Sequence, residues 1–405
     1  MTWRNEDATA ARDATAAQDA TAARSATKPE PRAGAPLTVV MATRRGPAHM
    51  GGVERVVAGL LTELARTRPS WQVRPVYVFR PGSRVEGIDG LSDVVASLRL
   101  GWLLRRSPAD VVFVHCPECL WGIRLLRRRR GAAPLIAVWH GAGPTPYLLL
   151  RRPGDPMAKA LAWIRTAGEK TALAADGHVA VHGGVADALR SVYGLRRPVT
   201  VIENALDPAI SELRPGPARE REREREHERE HERERNGFTA VWVGQTGYRK
   251  GLDVALAAVA QARRDVPGLR LTVVGVPAGP EADGVDWLGV IPPARMAEVY
   301  RDADLLLFPT RYESFGLVVI EAMAAGLPVI VSDAVPAGIV IDGRNGAVIA
   351  GHDPARYAAA LRRLADPGRR AAMAEANRDD VRRFSIESAG AGYVALAESF
   401  AASAT

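Results

Sequence analysis

Short apolar runs alternate along the chain with stretches whose apolar residues recur at helical spacing. The first run, Leu37–Ala42, is followed by such a stretch, with Val53, Val57, Leu60 and Leu64 on one helix face. Further apolar runs lie at 73–79, 110–114, 135–139, 177–181 and 199–202. Strands that alternate with helices form mostly parallel sheets, so residues 36–206 are predicted to form a doubly wound α/β domain.

A second region, residues 237–405, repeats the same alternation. The run Leu305–Phe308 has no polar residue and ends at Pro309, as expected of a strand buried on both faces of a parallel sheet. A polar loop follows it, and a helix is predicted to begin at about Gly316. The region is therefore predicted to be a second doubly wound domain. Its other predicted strands are 238–244, 271–274, 285–288 and 329–332, and its other predicted helices are 252–263, 296–302 and 354–402.

The length of the chain also favours two domains. At 405 residues it exceeds the roughly 250–300 residues at which single hydrophobic cores stop growing. Residues 1–35 contain three copies of a polar hexad that begins Asp-Ala-Thr-Ala-Ala, and we expect a disordered tail there. In residues 207–236, glutamate alternates with arginine or histidine from 220 to 234, which predicts a solvated linker with no catalytic role.

The net charge of +8 and the pI near 9.8 bear on possible partners. The sequence has no basic and aromatic motif of the RNA-binding type, so nucleic acid is not expected. Arginines cluster at 105–106, 127–130 and 151–152, which is compatible with peripheral contact with an anionic membrane or with ordinary solvated helix ends. No run reaches the roughly 18 apolar residues of a spanning helix, and no signal-peptide core is present. We expect a cytoplasmic protein.

A metal site is not expected. The two cysteines, Cys116 and Cys119, form a C-x-x-C pair, but a zinc site needs two more ligands and no second pair exists. We expect both to be reduced thiols. Asp302 and Asp304 have the spacing of a metal-binding D-x-D, but the first ends a predicted helix and the second opens a strand.

Two carboxylates flank the start of the helix that follows Phe308. Glu313 lies in the loop, and Glu321 lies eight positions later, inside the helix. The first amides of a helix attract anions, so the backbone from Ser314 to Leu317 suits a phosphate. A ligand that carries both hydroxyls and phosphates, such as a nucleotide sugar, fits this arrangement. By spacing alone, two surface glutamates on an ordinary strand–loop–helix unit fit equally well.

Two other loops after predicted strands carry candidate phosphate-binding residues. Arg249 and Lys250 are adjacent cations that suit a diphosphate, the arginine through its planar fork and the lysine as a point charge. Gly51 and Gly52 open a helix, where glycine is suited either to a bound phosphate or to a tight turn. The sequence there lacks the G-x-G-x-x-G pattern, which weakens a nicotinamide hypothesis.

Two histidines follow strands directly. His115 and His140 are therefore both predicted at the carboxyl edge of the first sheet, where doubly wound sheets bind ligands. Either is also compatible with an ordinary strand-end residue, and His140 is the stronger candidate.

These motifs together resemble the retaining glycosyltransferases of family 4. Glu313 and Glu321 match the family's E-x7-E motif, and Arg249-Lys250-Gly251 matches the cationic loop of one branch. Gly51–Glu54 and Val201–Asp207 are similar to two further family segments. The resemblance covers roughly residues 37–400 without the Arg/Glu segment. It implies the GT-B fold, in which two Rossmann-like domains face a cleft.

The resemblance also implies roles for the candidate residues. Residues 36–206 would form the acceptor-side domain, and residues 237–405, with their terminal helices, the domain that binds the nucleotide sugar. Glu321 would bind the ribose hydroxyls, and Glu313 would face the transferred sugar. Arg249 and Lys250 would neutralise the departing diphosphate, and His140 would contact the donor sugar near its reacting carbon. The other expected donor contacts are Ser314, Phe315, Gly316, Leu317, Gly51 and Gly52.

The implied activity is transfer of a sugar, with retention, from a nucleotide-diphosphate sugar to a hydroxyl of a glycan, lipid or small metabolite. UDP is the default donor base, no cofactor is expected, and no metal is needed if the two cations replace it. Two positions depart from the family pattern, because Gln245 replaces a common arginine and Ala205 a common glycine. The alternatives are an epimerase or phosphorylase of the same fold, or a catalytically silent nucleotide-sugar-binding protein.

Overall fold

Apolar runs become the strands of two parallel sheets in the computed structural model. The structure describes residues 36–46, 51–79, 91–120, 132–142, 156–207, 237–245 and 247–404. The predicted tail, all but the first residue of the predicted linker, and the arginines at 127–130 and 151–152 lie outside these residues. Both sheets belong to the unit Leu37–Thr405.

The first sheet has six parallel strands in the order β2-β1-β3-β4-β5-β6. Chain order reverses between β1 and β3, and ligands of doubly wound sheets bind at such a point. The predicted strands match the observed ones to within about two residues at each end. The strands are β1 (Thr38–Thr43), β2 (Gln72–Tyr77), β3 (Val111–Val114), β4 (Leu135–Trp139), β5 (Gly177–Ala180) and β6 (Thr200–Val201).

The second sheet is also parallel, in the order β12-β11-β10-β7-β8-β9, and its chain order reverses between β10 and β7. Residues Leu305 to Phe308 of β10 are fully buried, which accounts for the uninterrupted apolar run. The short strand β12 was not predicted from the sequence pattern. The strands are β7 (Thr239–Val243), β8 (Arg270–Val274), β9 (Val285–Gly289), β10 (Leu305–Phe308), β11 (Val329–Ser332) and β12 (Gly346–Ile349).

Helices follow most of the strands. The predicted C-terminal helical region is divided into three helices. Pro367 is the first residue of the second helix, and the 3-10 helix Val381–Phe384 precedes the third. The helices are α1 (Gly52–Thr67), α2 (Leu91–Arg106), α3 (Pro156–Ala172), α4 (Gly183–Tyr193), α5 (Leu252–Ala262), α6 (Pro293–Arg301), α7 (Leu317–Ala324), α8 (Pro354–Leu364), α9 (Pro367–Asp380) and α10 (Ile386–Ala404).

The last helix crosses back to the first sheet, although its sequence position groups it with the second. Helix α10 packs on α1 and β3. The Tyr393 ring meets Phe113 edge-on at 5.1 Å, and Arg68 is 3.2 Å from Glu398. By its packing, α10 therefore belongs to the first sheet, and it links the two halves of the chain.

Candidate active site

Two loops of the second sheet are joined where its chain order reverses. Gly251 has φ +71°, and a Cβ there would lie 1.8 Å from the carbonyl oxygen of Pro309, so only glycine fits. The Arg311 amide donates to the Arg249 carbonyl at 2.8 Å. The Arg311 guanidinium also pairs with Asp253 at 2.7 Å. These contacts hold the loop after β7 against the loop after β10.

Lys250 and Glu313 form an ion pair between these two loops. The Lys250 ammonium donates to the Glu313 carboxylate and lies 4.8 Å from the centre of the Phe308 ring. Both side chains are almost buried, with 12% and 11% exposure. The Arg249 guanidinium donates to the Tyr312 carbonyl at 3.2 Å. The structure therefore places Arg249, Lys250 and Glu313, predicted from separate motifs, in one cluster.

The pKa values of the ion pair reflect its burial and its charges. Burial alone would raise the pKa of Glu313, but Lys250 and Arg249 outweigh it, so that pKa is lowered. The pKa of Lys250 is lowered by burial and by Arg249, against the opposing effect of Glu313. The lysine can still donate to a further anion, because an ammonium has three N–H groups.

Glu321 lies on α7 and contacts the other half of the molecule. Its Oε1 is 3.0 Å from Nη2 of Arg55 on α1, and its Oε2 accepts a hydrogen bond from the Tyr300 hydroxyl at 3.0 Å. The Glu321 side chain is only 4% exposed, and burial raises its pKa despite these two partners. Asp207 lies 3.8 Å from the same arginine. The carboxylate predicted to bind ribose is thus held by a cation of the first domain.

Loops at the carboxyl edges of the two sheets meet close to the ion pair of Arg55 and Glu321. A Cβ on Gly52 would lie 2.8 Å from Leu317. A Cβ on Gly141, which follows β4, would lie 3.3 Å from the Tyr312 hydroxyl and 3.4 Å from Ser314. Glycine at these two positions lets the first-sheet loops approach the second-sheet loop closely. Of the predicted glycine pair, Gly52 therefore lies directly against the predicted donor loop, whereas Gly51 faces Glu54 of its own helix.

The start of α7 combines a phosphate-binding geometry with a buried anchor. Gly316 caps the helix with φ +96°, which favours glycine. The Ser314 amide donates to the Glu313 carboxylate at 3.2 Å. Phe315 is buried, and its ring meets Phe384 edge-on at 5.7 Å. The Phe315 side chain thus fixes the loop, and the helix N-terminus that follows is of the kind that attracts anions.

His140 is turned towards the other strand-end histidine. Its Nε2 lies 3.0 Å from Nδ1 of His115. Its own Nδ1 is buried and has no hydrogen-bond partner in the described part of the chain. His115 is itself buried and stacks on Tyr393 with ring centres 5.9 Å apart. Nδ1 is therefore the His140 nitrogen that remains available to a ligand.

The histidine pair predicts a loss of stability in mild acid. Burial lowers the pKa of His140 from 6.5 to about 4, and that of His115 well below 6.5. Below pH 6.5 the unfolded chain therefore binds protons that the folded chain does not. The protein becomes less stable as the pH decreases. For His140 alone, the free energy of unfolding should drop by about 2 kcal/mol between pH 6.5 and 5, as measured by urea unfolding.

The double variant His115→Asn/His140→Asn is the control for this prediction. Its free energy of unfolding should change less between pH 6.5 and 5 than that of wild type. The difference between the two pH dependences is the contribution of the two imidazoles, since the carboxylates contribute to both proteins alike. Equal slopes for the two proteins would show that the histidines do not titrate as expected.

Two site residues were not found by sequence reasoning. Arg55 follows the quoted Gly51–Glu54 segment by one position, and Tyr300 lies in a helix predicted only as a neighbour of β10. No local pattern indicates that both contact Glu321.

The two cysteines are free and buried, as expected of thiols with a structural role. The hydrogen bond with Cys116 and burial raise the pKa of Cys119 well above its ordinary value, so this thiol is unreactive.

Two family profiles match the two halves of the chain. Residues 50–210 match Glycosyltransferase Family 4, and residues 237–366 match Glycosyl transferases group 1. A D-inositol 3-phosphate glycosyltransferase of Rhodococcus erythropolis is 30% identical over 340 residues, which cover 76% of this chain and 74% of that protein. The chain belongs to glycosyltransferase family 4.

Other relatives match over a shorter length. A D-inositol 3-phosphate glycosyltransferase of Acidothermus cellulolyticus is 38% identical over 161 residues. The matched stretch covers 34% of this chain and little more than a third, 36%, of the Acidothermus protein.

Solved structures show the same fold. Sucrose-phosphate synthase from Thermosynechococcus elongatus superposes with a TM-score of 0.68 at 20% identity, over 89% of this chain and 98% of its own. HepE of Anabaena, solved with UDP-glucose, has a TM-score of 0.63 at 16% identity, over 90% of this chain and 100% of its own. These likenesses establish the two-domain fold that the sequence predicts.

Proposed function

We propose that the protein transfers a sugar from a UDP-sugar to an acceptor hydroxyl, with retention at the anomeric carbon. The proposal rests on the cluster of Arg249, Lys250 and Glu313 beside the helix that carries Glu321. Two cations, two carboxylates and a helix N-terminus match the diphosphate and the hydroxyls of a nucleotide sugar. Family membership supports the same reaction class.

The donor would bind along the edge of the second sheet. Arg249 and Lys250 would hold the diphosphate, with the lysine keeping one N–H group on Glu313. The amides of Phe315 to Leu317 would hold phosphate oxygens. Glu321 would accept hydrogen bonds from the ribose hydroxyls, which requires Arg55 to move aside, because the Glu321 side chain is only 4% exposed.

The chemistry would depend on positioning and on charge. As the bond from the sugar to the diphosphate breaks, negative charge grows on the leaving phosphate, where the two cations stabilise it. They supply the positive charge that a metal ion would otherwise provide. Nδ1 of His140 would be available to contact the sugar near its reacting carbon. The loops that meet at Gly52 and Gly141 would exclude water from the reaction.

The identity of the substrates is proposed from the similar proteins. HepE was solved with UDP-glucose, which supports UDP as the donor base. Relatives are named D-inositol 3-phosphate glycosyltransferases, so a phosphorylated inositol is the first acceptor to test.

The proposal is tested first by a thermal-shift screen against UDP-, GDP-, ADP- and dTDP-sugars. We expect UDP-sugars to raise the melting temperature most. The stabilising donor is then incubated with D-inositol 3-phosphate and with a panel of other hydroxyl acceptors, and UDP release and the anomeric configuration of the product are measured. Acceptor-dependent UDP release with retained configuration is the expected result.

Two controls separate the alternatives. A donor whose sugar changes without any acceptor would identify an epimerase, and sugar phosphate formed with inorganic phosphate would identify a phosphorylase. Donor binding with no turnover across the acceptor panel would identify a nucleotide-sugar-binding protein. Each of these outcomes would overturn the transferase proposal.

A further inference from the structure

Helix α2 presents apolar side chains on two opposite faces. Ala96 and Leu100 are buried against the first domain, with 0% and 1% exposure. Val94, Leu98 and Trp102, spaced four residues apart, are instead exposed by 42%, 70% and 51%. A helix that covers a sheet normally has a polar outer face. The outer face of α2 therefore exposes an apolar stripe that the fold itself does not require.

Arginines frame this stripe. Arg105 lies seven positions after Leu98, hence on the same face, and is exposed. The Arg106 guanidinium lies 3.9 Å from the centre of the Trp102 ring. The helix contains three arginines, including Arg99, and one acidic residue. Apolar and aromatic side chains beside arginines are typical of helices that lie in the headgroup region of an anionic membrane.

A second helix with an exposed tryptophan packs on the same short segment as α2. Helix α3 carries Trp163, which is 72% exposed. Both α2 and α3 pack on the 3-10 helix Pro117–Cys119, which follows the carboxyl end of β3. Helix α3 also has three basic residues and one acidic residue. Two exposed tryptophans thus lie on basic helices that share one contact.

We propose that these helices bind reversibly to an anionic lipid bilayer through the α2–α3 surface, formed by Val94, Leu98, Trp102, Arg105, Arg106 and Trp163. The arginines favour a lipid surface over an apolar protein partner, since they supply the charge that acidic headgroups attract. No helix in the described ranges could cross a membrane, so binding would take place at the interface. The 3-10 helix on which α2 and α3 pack follows the carboxyl end of β3. Membrane binding goes beyond the proposed transferase activity.

Vesicle sedimentation of the full chain tests this proposal. Vesicles of phosphatidylcholine alone are compared with vesicles that also contain phosphatidylglycerol, at low and at high salt. Wild type should bind the anionic vesicles and lose most of that binding at high salt. Leu98→Ser should weaken binding to the anionic vesicles about tenfold, because the exposed leucine that would enter the bilayer is lost. Arg105→Gln should weaken it about fivefold and leave the weak binding to phosphatidylcholine unchanged.

Val192→Ser is the matched control, since Val192 is 64% exposed on α4, outside the proposed surface. It should bind vesicles like wild type. Equal losses for Val192→Ser and Leu98→Ser, or no sedimentation of wild type with anionic vesicles at low salt, would overturn the proposal. Analytical ultracentrifugation tests the alternative that a second copy of the chain binds this surface. A wild-type dimer that Leu98→Ser converts to a monomer would support that alternative and overturn the membrane proposal. Circular dichroism of each variant shows whether weaker vesicle binding arises from the changed surface or from unfolding.

Discussion

Glu321→Ala is expected to weaken the binding of a UDP-sugar at least tenfold. The carboxylate offers acceptors for two ribose hydroxyls, and hydrogen bonds to a charged group are about twice as strong as neutral ones. Titration calorimetry with UDP measures the effect directly. Turnover at saturating donor should fall much less, because the ribose lies away from the bond that breaks.

Two variants separate ribose binding from the ion pair with Arg55. Arg55→Met removes the cation and leaves the carboxylate, so it should not weaken UDP binding as much as Glu321→Ala. Glu321→Gln keeps the shape of the side chain and removes its charge, so its affinity for UDP should lie between those of Arg55→Met and Glu321→Ala. If Arg55→Met weakens UDP binding as much as Glu321→Ala, the carboxylate matters through its ion pair and the ribose assignment is wrong. The unfolding midpoint of each variant is measured alongside, because Glu321 without Arg55 is a buried charge.

Lys250→Ala is expected to lower kcat/KM at least tenfold. Lys250 lies on the loop after β7 and pairs with Glu313 of the neighbouring loop. In the proposed donor complex its ammonium would meet the charge that develops on the departing phosphate, so its loss should remove stabilisation of the transition state. A steady-state assay of UDP release measures the effect. Arg362→Ala, which removes a cation from helix α8 away from the cluster, is the matched control and should behave like wild type.

The lysine variant also leaves Glu313 without its partner in a nearly buried position. Breaking such a pair costs about 3–5 kcal/mol of stability, so the single variant alone would not separate folding from catalysis. The double variant Lys250→Ala/Glu313→Gln removes both charges of the pair and should fold nearly as well as wild type. Wild-type kcat/KM in this folded double variant would contradict the catalytic assignment of both residues.

Most of the local structure follows from the sequence. Apolar runs such as Leu305–Phe308 predict buried parallel strands because both faces of such strands must be covered. Gly316 and Gly251 lie at helix starts with positive φ, where glycine is favoured. The missed strand β12 begins with Gly346 and Ala347, two residues that are depleted in strands, so only Val348 and Ile349 carry a strand signal.

The predicted site is only partly a property of local sequence. Arg249-Lys250 and Glu313 were each recognised from a short motif, and their contact follows from the adjacent positions of β7 and β10 in the sheet. The link between His115 and His140 depends on the pairing of β3 with β4. No pattern of charges along the chain indicates which strands become neighbours, so these contacts required the fold.

The sequence by itself determined the alternating α/β architecture, the family and the residues that carry the proposed chemistry, because apolar periodicity and short motifs are local properties of the chain. Tertiary structure alone decided that Arg55 pairs with Glu321, 266 positions away, and that α10 returns to the first sheet. It also exposed the apolar stripe on α2. Burial and charge pairing depend on which surfaces meet in three dimensions, and surfaces far apart in sequence meet only after the chain has folded.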